Sequence, residues 1–347
     1  MSKPVLLRGD ARARGLGQAQ ACPEMAEAVR TSIRTRLAAT PRDAAFLAAQ
    51  RGATLALAPE AWEECAGIAA GFGLEAAEVF DFLHLGCLAD LARLREDPDG
   101  CTAFARDGVV AKNRDFRPEH VALQRIFLLQ DPAWRGRRIL CVGSLGAPGA
   151  WSSGMNSDGF ALADTQIATA DHGPGMLRYF LMNRLLATCA TVAEAVAAIR
   201  AMPHAGGGSL VMADASGAGA AVELRHGRVD IEQGACVSRT NHYTAAPERL
   251  DAVAHSAGRL ETLRAALAEG ARDPHKLSSA RDPRDLLALH APTAICRHAP
   301  DPSPTLAGAV WDTLHGTARI ALGPPCSTPW RVFEPAAGGW RETHALA

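Results

Sequence analysis

Residues 99–116 read DGCTAFARDGVVAKNRDF, and this stretch decides the fold that the sequence predicts. Two short runs rich in β-forming residues flank the dipeptide Asp107-Gly108. An Asp-Gly pair between two such runs is typical of the tight turn of a β-hairpin. We therefore expect Cys101 at the start of the first strand of a hairpin.

A two-residue turn also sets the register of this hairpin. The register pairs Arg106 with Val109, Phe104 with Ala111, Ala103 with Lys112 and Cys101 with Arg114. Because paired residues share a face of the sheet, Lys112 and Arg114 lie on the face of Cys101, where positive charge favours a thiolate. Asp115 falls on the opposite face and reaches Cys101 only if the second strand ends or bulges there.

The distribution of helix, strand and turn signals along the chain predicts a mixed α and β protein. Residues 1 to about 92 carry Ala-rich amphipathic stretches and few strand signals, whereas short β-type runs with turn signals begin after Gly100. Helices are expected over 24–39, 59–70, 74–91, 175–188, 191–202, 247–269 and 282–290, and further strands over 138–143, 151–155, 160–166, 209–213, 220–224, 228–232, 236–239, 309–313 and 317–322. Hairpin runs separated by helix pairs favour antiparallel sheets covered by helices over a parallel βαβ sheet.

Composition and charge narrow the classes of function. The 347 residues are 48% hydrophobic and 21% charged, with 36 Lys and Arg against 37 Asp and Glu, for a formal net charge of -1. A nearly neutral chain gives no electrostatic reason to expect nucleic acid or an anionic membrane as partner. A small-molecule substrate is therefore expected.

Targeting segments and metal motifs are not evident in the sequence. The first ten residues lack the apolar run of a secretory signal, and no run reaches membrane-spanning length. The nine cysteines are scattered without a CxxC pair of the zinc type, and the twelve histidines contain no HExxH motif. We therefore expect a cytoplasmic protein with no metal and no other cofactor.

Four short motifs carry a resemblance to a known enzyme family. They are residues 99–103 (DGCTA), 110–116 (VAKNRDF), 154–161 (GMNSDGFA) and 240–243 (TNHY). In their order and spacing they resemble the acyl-CoA:6-aminopenicillanic acid acyltransferase family of N-terminal-nucleophile (Ntn) hydrolases. More distantly, the chain is similar to the choloylglycine hydrolases, which include penicillin V acylase and bile salt hydrolase.

The resemblance implies an α+β fold, a four-layer αββα sandwich with antiparallel sheets, and self-cleavage between Gly100 and Cys101. Residues 1–100 would then be a mostly helical propeptide or α-chain, and residues 101–347 the catalytic β-chain. The processed chains would stay associated, and assembly into a homo-oligomer is left open. The residue types agree with this chemistry, since the freed α-amine of Cys101, with an unperturbed pKa of about 8, is a usable general base at neutral pH.

The same resemblance implies roles for five further side chains. Asp115 would hold the α-amine, Asn241 would donate into the oxyanion hole, and Gln166 would supply a second amide donor. Lys112 stands where choloylglycine hydrolases carry an arginine, so a cation is retained while bidentate geometry is lost. Arg297 resembles a late arginine that supports the site.

The sequence leaves three functions open. The first is a self-processing N-terminal-cysteine amidohydrolase that cleaves the linear amide of an N-acyl substrate through a thioester on Cys101. The second is an acyltransferase that moves the same acyl group to an amine. The third is a binding protein with this fold that never cleaves, because a cysteine taken alone is more often buried and inert, and Asp115 and Asn241 taken alone are more often strand-end and turn residues.

Overall fold

The computed structural model of the chain describes residues 3–94, 100–245, 253–269 and 282–343. The helices in these ranges are α1 (Ala11–Ala21), α2 (Ala26–Ala39), α3 (Ala44–Leu57), α4 (Pro59–Phe72), α5 (Ala76–Leu83), α6 (Leu85–Leu91), α7 (Arg178–Thr188), α8 (Val192–Arg200), α9 (Val253–Glu269) and α10 (Pro283–Leu287). The strands are β1 (Val5–Arg8), β2 (Thr102–Arg106), β3 (Val109–Asp115), β4 (Gln124–Gln130), β5 (Arg138–Ser144), β6 (Ser153–Asn156), β7 (Phe160–Thr165), β8 (Ser209–Asp214), β9 (Gly219–Leu224), β10 (Val229–Gln233), β11 (Cys236–Arg239), β12 (Thr305–Asp312), β13 (Thr317–Ala321), β14 (Arg331–Ala336) and β15 (Gly339–Thr343).

The strands form two sheets. An eight-stranded sheet has the order β1-β4-β5-β6-β7-β8-β9-β10, and a seven-stranded sheet has the order β11-β2-β3-β12-β13-β14-β15. Neighbouring strands are antiparallel in both sheets, except that β1 runs parallel to β4. This arrangement confirms the prediction of antiparallel sheets.

Alternation along the strands builds a core between the two sheets. Ala103 and Val110 of the hairpin cluster with Leu140 and Met155 of the eight-stranded sheet. Phe104, one residue further along, points to the opposite face, because successive strand residues alternate. The central layer of the molecule is therefore a sandwich of two sheets.

Helices cover both outer faces of this sandwich. Phe104 clusters with Leu263 of α9 and Leu287 of α10 outside the seven-stranded sheet. Phe127 of the eight-stranded sheet clusters on the other side with Leu181 of α7 and with α1 to α6, the helices before Gly100, which we call the leader helices. The order is helix, sheet, sheet, helix, which confirms the predicted α+β fold and its four αββα layers.

The segment before Gly100 is packed into the same structure as the segment after it. Its strand β1 extends the eight-stranded sheet, with Val5 opposite Phe127. Gln18 of α1 donates to the carbonyl of Ala147 at 2.9 Å and accepts from the N–H of Gly146 at 3.0 Å. The prediction that this segment is mostly helical is confirmed, and it also contains the strand β1, which was not predicted.

Several element predictions need correction or fall outside the description. The strands β1, β4, β14 and β15 were not predicted; β4 is buried over most of its length and so lacks the alternating pattern that marks a half-buried strand. The predicted helix over 74–91 is two helices, because the chain leaves helical geometry at His84. Asp99 and residues 247–252 of the predicted helix lie outside the described residues.

Among the described residues, no helix is long and apolar enough to span a membrane.

The crossing of α1 and α4 yields a stability prediction. A Cβ added to Gly67 would lie 2.1 Å from the backbone oxygen of Arg12, so the helices would have to separate. We expect Gly67→Ala to lower the free energy of unfolding by about 1–3 kcal/mol. Gly52→Ala, in α3 and with nothing within 4 Å, should instead raise it by about 0.5–1 kcal/mol. Urea denaturation of both variants checks this, and equal effects would contradict the close helix crossing.

Candidate active site

The hairpin that begins just after Cys101 has the predicted register. Ala103 lies opposite Lys112, and Arg106 lies opposite Val109. The turn residues Asp107 and Gly108 have φ values of +50° and +78°, the left-handed pair that a type I′ hairpin turn requires. Local sequence therefore determines where Cys101 stands relative to β3.

Asp115 reaches the peptide bond between Gly100 and Cys101 by the route that the sequence set as a condition. Strand β3 ends at Asp115, and the register of the neighbouring strand shifts between Thr305 and Ala307. The thiol of Cys101 donates to the backbone oxygen of Asp115 at 3.8 Å. The carboxylate lies against Gly100, where an added Cβ would be 2.6 Å from Oδ2. An ideal hairpin would hold Asp115 on the face opposite Cys101. Because the strand ends and the register shifts here, Asp115 is not held on that face.

The carboxyl group of Asp115 is fully buried and only partly satisfied. Its Oδ1 accepts from the hydroxyl of Thr305 at 2.6 Å. Its Oδ2 has no hydrogen-bond partner among the described residues and lies 3.8 Å from Nη1 of Arg297. Burial raises the pKa of Asp115 to about 7, although Arg259 and Arg297 act in the opposite direction.

Arg259, on α9, is the main residue that sequence reasoning missed. Its Nη1 donates to the carbonyl oxygen of Gly100 at 2.5 Å and to that of Cys101 at 2.7 Å. Its Nη2 donates to Oδ1 of Asn241 at 2.7 Å. Burial lowers the pKa of this guanidinium to about 10, partly offset by the negative charge of Asp115. No motif surrounds Arg259, so only its position in the fold identifies it.

The structure brings Asn241 and Gln166 together. Nδ2 of Asn241 donates to the backbone oxygen of Gln166 at 2.8 Å, while Oδ1 is held by Arg259. The side-chain oxygen of Gln166 accepts from Nη2 of Arg178 at 2.6 Å. Both amides are thereby oriented by neighbouring cations or carbonyl groups.

Lys112 lies at the site but is held by an anion that the sequence did not indicate. Its ammonium forms a buried ion pair with Asp164 and donates to the backbone oxygen of Ser152 at 3.3 Å. Arg178 binds the other oxygen of Asp164 at 2.9 Å. Burial alone would raise the pKa of Asp164, but Lys112 and Arg178 outweigh it and lower that pKa. The charge of Lys112 is therefore largely neutralised within the protein.

The remaining predicted cations flank the junction on two sides. Arg114 donates to Oε1 of Gln124 at 3.1 Å and lies over the ring of Trp151 at 5.2 Å. Arg297 is bound by Asp301 through Nε and Nη2, at 2.8 and 2.5 Å. Its Nη1 faces Gly100, since an added Cβ there would be 1.7 Å from this atom. Glycine at position 100 is therefore what allows Arg297 to approach the junction.

A small cavity lies beside the thiol. Its volume is about 20 Å³, close to the space that one water molecule needs. Its lining brings together the predicted cysteine, cations and amide with residues of both sheets: Cys101, Lys112, Arg114, Asp115, Phe116, Trp151, Asp164, Gln166, Arg178 and Tyr179. With the 100–101 peptide bond intact, this space is too small for an acyl substrate.

Comparison with known protein families agrees with three of the four motifs, those at 110–116, 154–161 and 240–243. The sequence model of one protein family, described as acyl-coenzyme A:6-aminopenicillanic acid acyl-transferase, matches residues 103–326, well over half of the chain. No curated protein gives a significant match.

Solved structures with a similar chain path are distant in sequence. A mutant and a variant of conjugated bile acid hydrolase from Clostridium perfringens are 10% and 13% identical, each covering 71% of this chain and 99% of their own, with TM-scores of 0.44. Penicillin V acylase from Agrobacterium tumefaciens is 12% identical, covers 71% of this chain and 98% of its own, and has a TM-score of 0.38.

The pKa of Asp115 predicts a change in how stability depends on pH. In a Cys101→Ala chain, which keeps the 100–101 peptide bond, folded Asp115 retains a proton that the unfolded chain has released between about pH 4 and about pH 7. This group therefore lowers the free energy of unfolding as pH rises through that window. We expect Cys101→Ala/Asp115→Asn to gain stability relative to Cys101→Ala across the same window, measured by urea denaturation. A difference that is flat or of opposite sign would contradict the raised pKa.

Proposed function

This chain belongs to the acyl-coenzyme A:6-aminopenicillanic acid acyl-transferase family, and we propose that it cleaves itself between Gly100 and Cys101 and then uses Cys101 to break the amide bond of a small N-acyl molecule. The observation that carries this proposal is the hydrogen bond from buried Arg259 to the carbonyl oxygen of Gly100. A cation held at that oxygen stabilises the negative charge that forms there during attack on the carbonyl carbon.

The self-cleavage is an N-to-S acyl shift followed by hydrolysis. The sulfur of Cys101 adds to the carbonyl carbon of Gly100, and the oxygen becomes an oxyanion held by Arg259. The carbon–nitrogen bond then breaks, the nitrogen of Cys101 takes a proton, and a thioester joins Gly100 to the sulfur. Water hydrolyses this thioester and leaves a carboxylate on Gly100, with a free thiol and a free α-amine on Cys101.

We propose that Asp115 carries the protons in these steps. Its carboxyl group lies against Gly100, and its pKa of about 7 allows it both to accept and to donate a proton at neutral pH. The proton that leaves the thiol can therefore be returned to the leaving nitrogen.

The freed α-amine gives Asp115 its second role. Oδ2 of Asp115, without a hydrogen-bond partner among the described residues, is an acceptor beside the position where the new amino terminus forms. An amine held there acts as general base for the thiol of Cys101 on the same residue. This supports the role that the resemblance assigns to Asp115.

Turnover of an external substrate repeats the chemistry on a new amide. Nδ2 of Asn241 uses one hydrogen on the backbone of Gln166, and its second hydrogen is the donor for the substrate oxyanion. Arg259 fixes this amide by holding its oxygen. Because the cavity beside the thiol is too small for a substrate in the uncut chain, we expect the site to open after cleavage.

Hydrolysis and acyl transfer share the thioester on Cys101 and differ in what attacks it. Water gives an amidohydrolase, and an amine gives the acyl transfer that the family description names. Incubating the processed protein with a panel of N-acyl amides of varied chain length, with and without an amine acceptor, separates the two by their products. Acyl release that is unaffected by the amine favours hydrolysis, and formation of a new amide favours transfer.

Self-cleavage should be visible in the mass of the purified protein. Wild-type chain is expected as pieces of 100 and 247 residues that separate in denaturant and co-purify without it, because β1 and the leader helices are packed into the shared core. Cys101→Ala should remain one piece and be inactive, since it has no nucleophile. Intact-mass measurement checks both. A wild-type chain that stays whole would support the non-cleaving binding protein, and a Cys101→Ala chain cut after Gly100 would implicate a separate protease.

Arg259 should control the rate of processing. We expect Arg259→Met to slow cleavage about 10²–10³-fold, the usual effect of losing one oxyanion donor, and Arg259→Lys to recover part of that loss. The matched control is Arg264→Met on the same helix, where the native side chain donates to the hydroxyl of Ser238 outside the junction. The appearance of the 247-residue piece in freshly translated protein measures the rate. Processing of a folded Arg259→Met chain at the wild-type rate would contradict this role.

A further inference from the structure

Four side chains of residue types that bind metals lie close together in connections between elements. His290, Cys296 and His298 lie on the chain between α10 and β12, and Cys326 lies between β13 and β14. One nitrogen or sulfur atom from each lies within 4.8 Å of all the others. Two thiols and two imidazoles form one of the common ligand sets of structural zinc.

The distances between these atoms fit a single tetrahedral ion. Bond lengths of about 2.3 Å for Zn–S and about 2.05 Å for Zn–N place sulfurs about 3.8 Å apart, nitrogens about 3.3 Å apart, and sulfur about 3.5 Å from nitrogen. The two sulfurs are 3.6 Å apart, and the two Nε2 atoms are 3.1 Å apart. Nε2 of His298 lies 3.6 Å from the sulfur of Cys296 and 3.3 Å from that of Cys326.

Hydrogen bonding alone does not account for this arrangement. Nε2 of His298 is approached by three ligand atoms, from His290, Cys296 and Cys326. A ring nitrogen offers one N–H or one lone pair in the ring plane, so it satisfies one of these contacts as a hydrogen bond. A cation at the centre satisfies all four groups together.

We propose that His290, Cys296, His298 and Cys326 bind one Zn²⁺ ion. Four protein ligands fill a tetrahedral coordination shell, so the ion has a structural role and no open position for a substrate. The site replaces the expectation of no metal, which followed from the sequence because the spacing H-x₅-C-x-H followed by a distant cysteine matches no short zinc motif.

The ion would also position the arginine at the cleavage junction, an extension that rests on the proposed function. Arg297 stands between two ligands, Cys296 and His298. Its backbone is tied to β12 by two hydrogen bonds with Thr305, each 2.9 Å long, and its Nη1 faces Asp115 and Gly100. Fixing the residues on both sides of Arg297 restricts its side chain to this place. The metal ligands therefore act on the junction by holding Arg297 in position.

Metal analysis of the full-length protein tests the site. Protein produced with added zinc should hold about one zinc ion per chain, and Cys296→Ser, Cys326→Ser and His298→Ala should each lose most of it. Cys236→Ser, at an exposed cysteine outside the cluster, should keep the full amount. The measurement is made in the Cys101→Ala background, so that its result does not depend on self-cleavage.

A second measurement covers variants that fail to fold. Wild-type protein stripped with a chelator should lose thermal stability, recover it with Zn²⁺, and take up Co²⁺ with the visible absorption of a tetrahedral site that has thiolate ligands. Slower processing of freshly translated wild-type protein when a chelator withholds zinc, restored by Zn²⁺, would support the link to Arg297; unchanged processing would overturn that link alone. Absence of zinc, equal zinc in the ligand variants, or a Cys296–Cys326 disulfide in place of metal would overturn the site.

Discussion

The buried guanidinium of Arg259 is the interaction on which the arrangement around the peptide bond between Gly100 and Cys101 depends. A cation removed from water requires several acceptors and an opposing charge nearby. Arg259 obtains the acceptors from Gly100, Cys101 and Asn241, and the opposing charge from Asp115. The same contacts that satisfy the guanidinium hold the carbonyl at the junction and orient the amide that would serve the substrate.

The carbonyl oxygen of Gly100 accepts a hydrogen bond from Arg259, whereas the carboxylate of Asp115 beside it lacks a donor for one oxygen in the part of the chain that the structure describes. Oδ2 of Asp115 and Nη1 of Arg297 lack hydrogen-bond partners among the described residues and lie 3.8 Å apart. Leaving buried polar atoms unpaired costs about 1–3 kcal/mol each. In the proposed self-cleavage, a new amino terminus beside Asp115 would supply the missing donor. Burial with too few hydrogen-bond donors also favours the neutral form of Asp115, and its pKa is raised to about 7.

Features set by local sequence could be predicted, and features set by distant contacts could not. The turn at Asp107 and Gly108 determines the register of the hairpin, so the side of β3 that faces Cys101 followed from the sequence alone. The approach of Asp115 depends on a bulge in β12, which the sequence allowed only as a condition.

The residues that sequence reasoning missed act through tertiary contacts. Arg259 meets Cys101 across 158 residues of chain, and Asp164 meets Lys112 from the opposite sheet. Cys326 joins the three other candidate metal ligands from a separate connection between strands. Charged and thiol side chains of this kind follow no repeating pattern in the local sequence. They come together only in the folded chain.

The central claim is that Cys101 carries a thiol and a free α-amine on the same residue. An aldehyde probe that condenses with such a 1,2-aminothiol to form a thiazolidine tests this directly, with the labelled position located by peptide mass mapping. We predict one label on native protein, at Cys101 as the first residue of the 247-residue piece. Protein with an unblocked amino terminus at Cys101 but no label, or protein that stays uncut and unlabelled, would contradict the account.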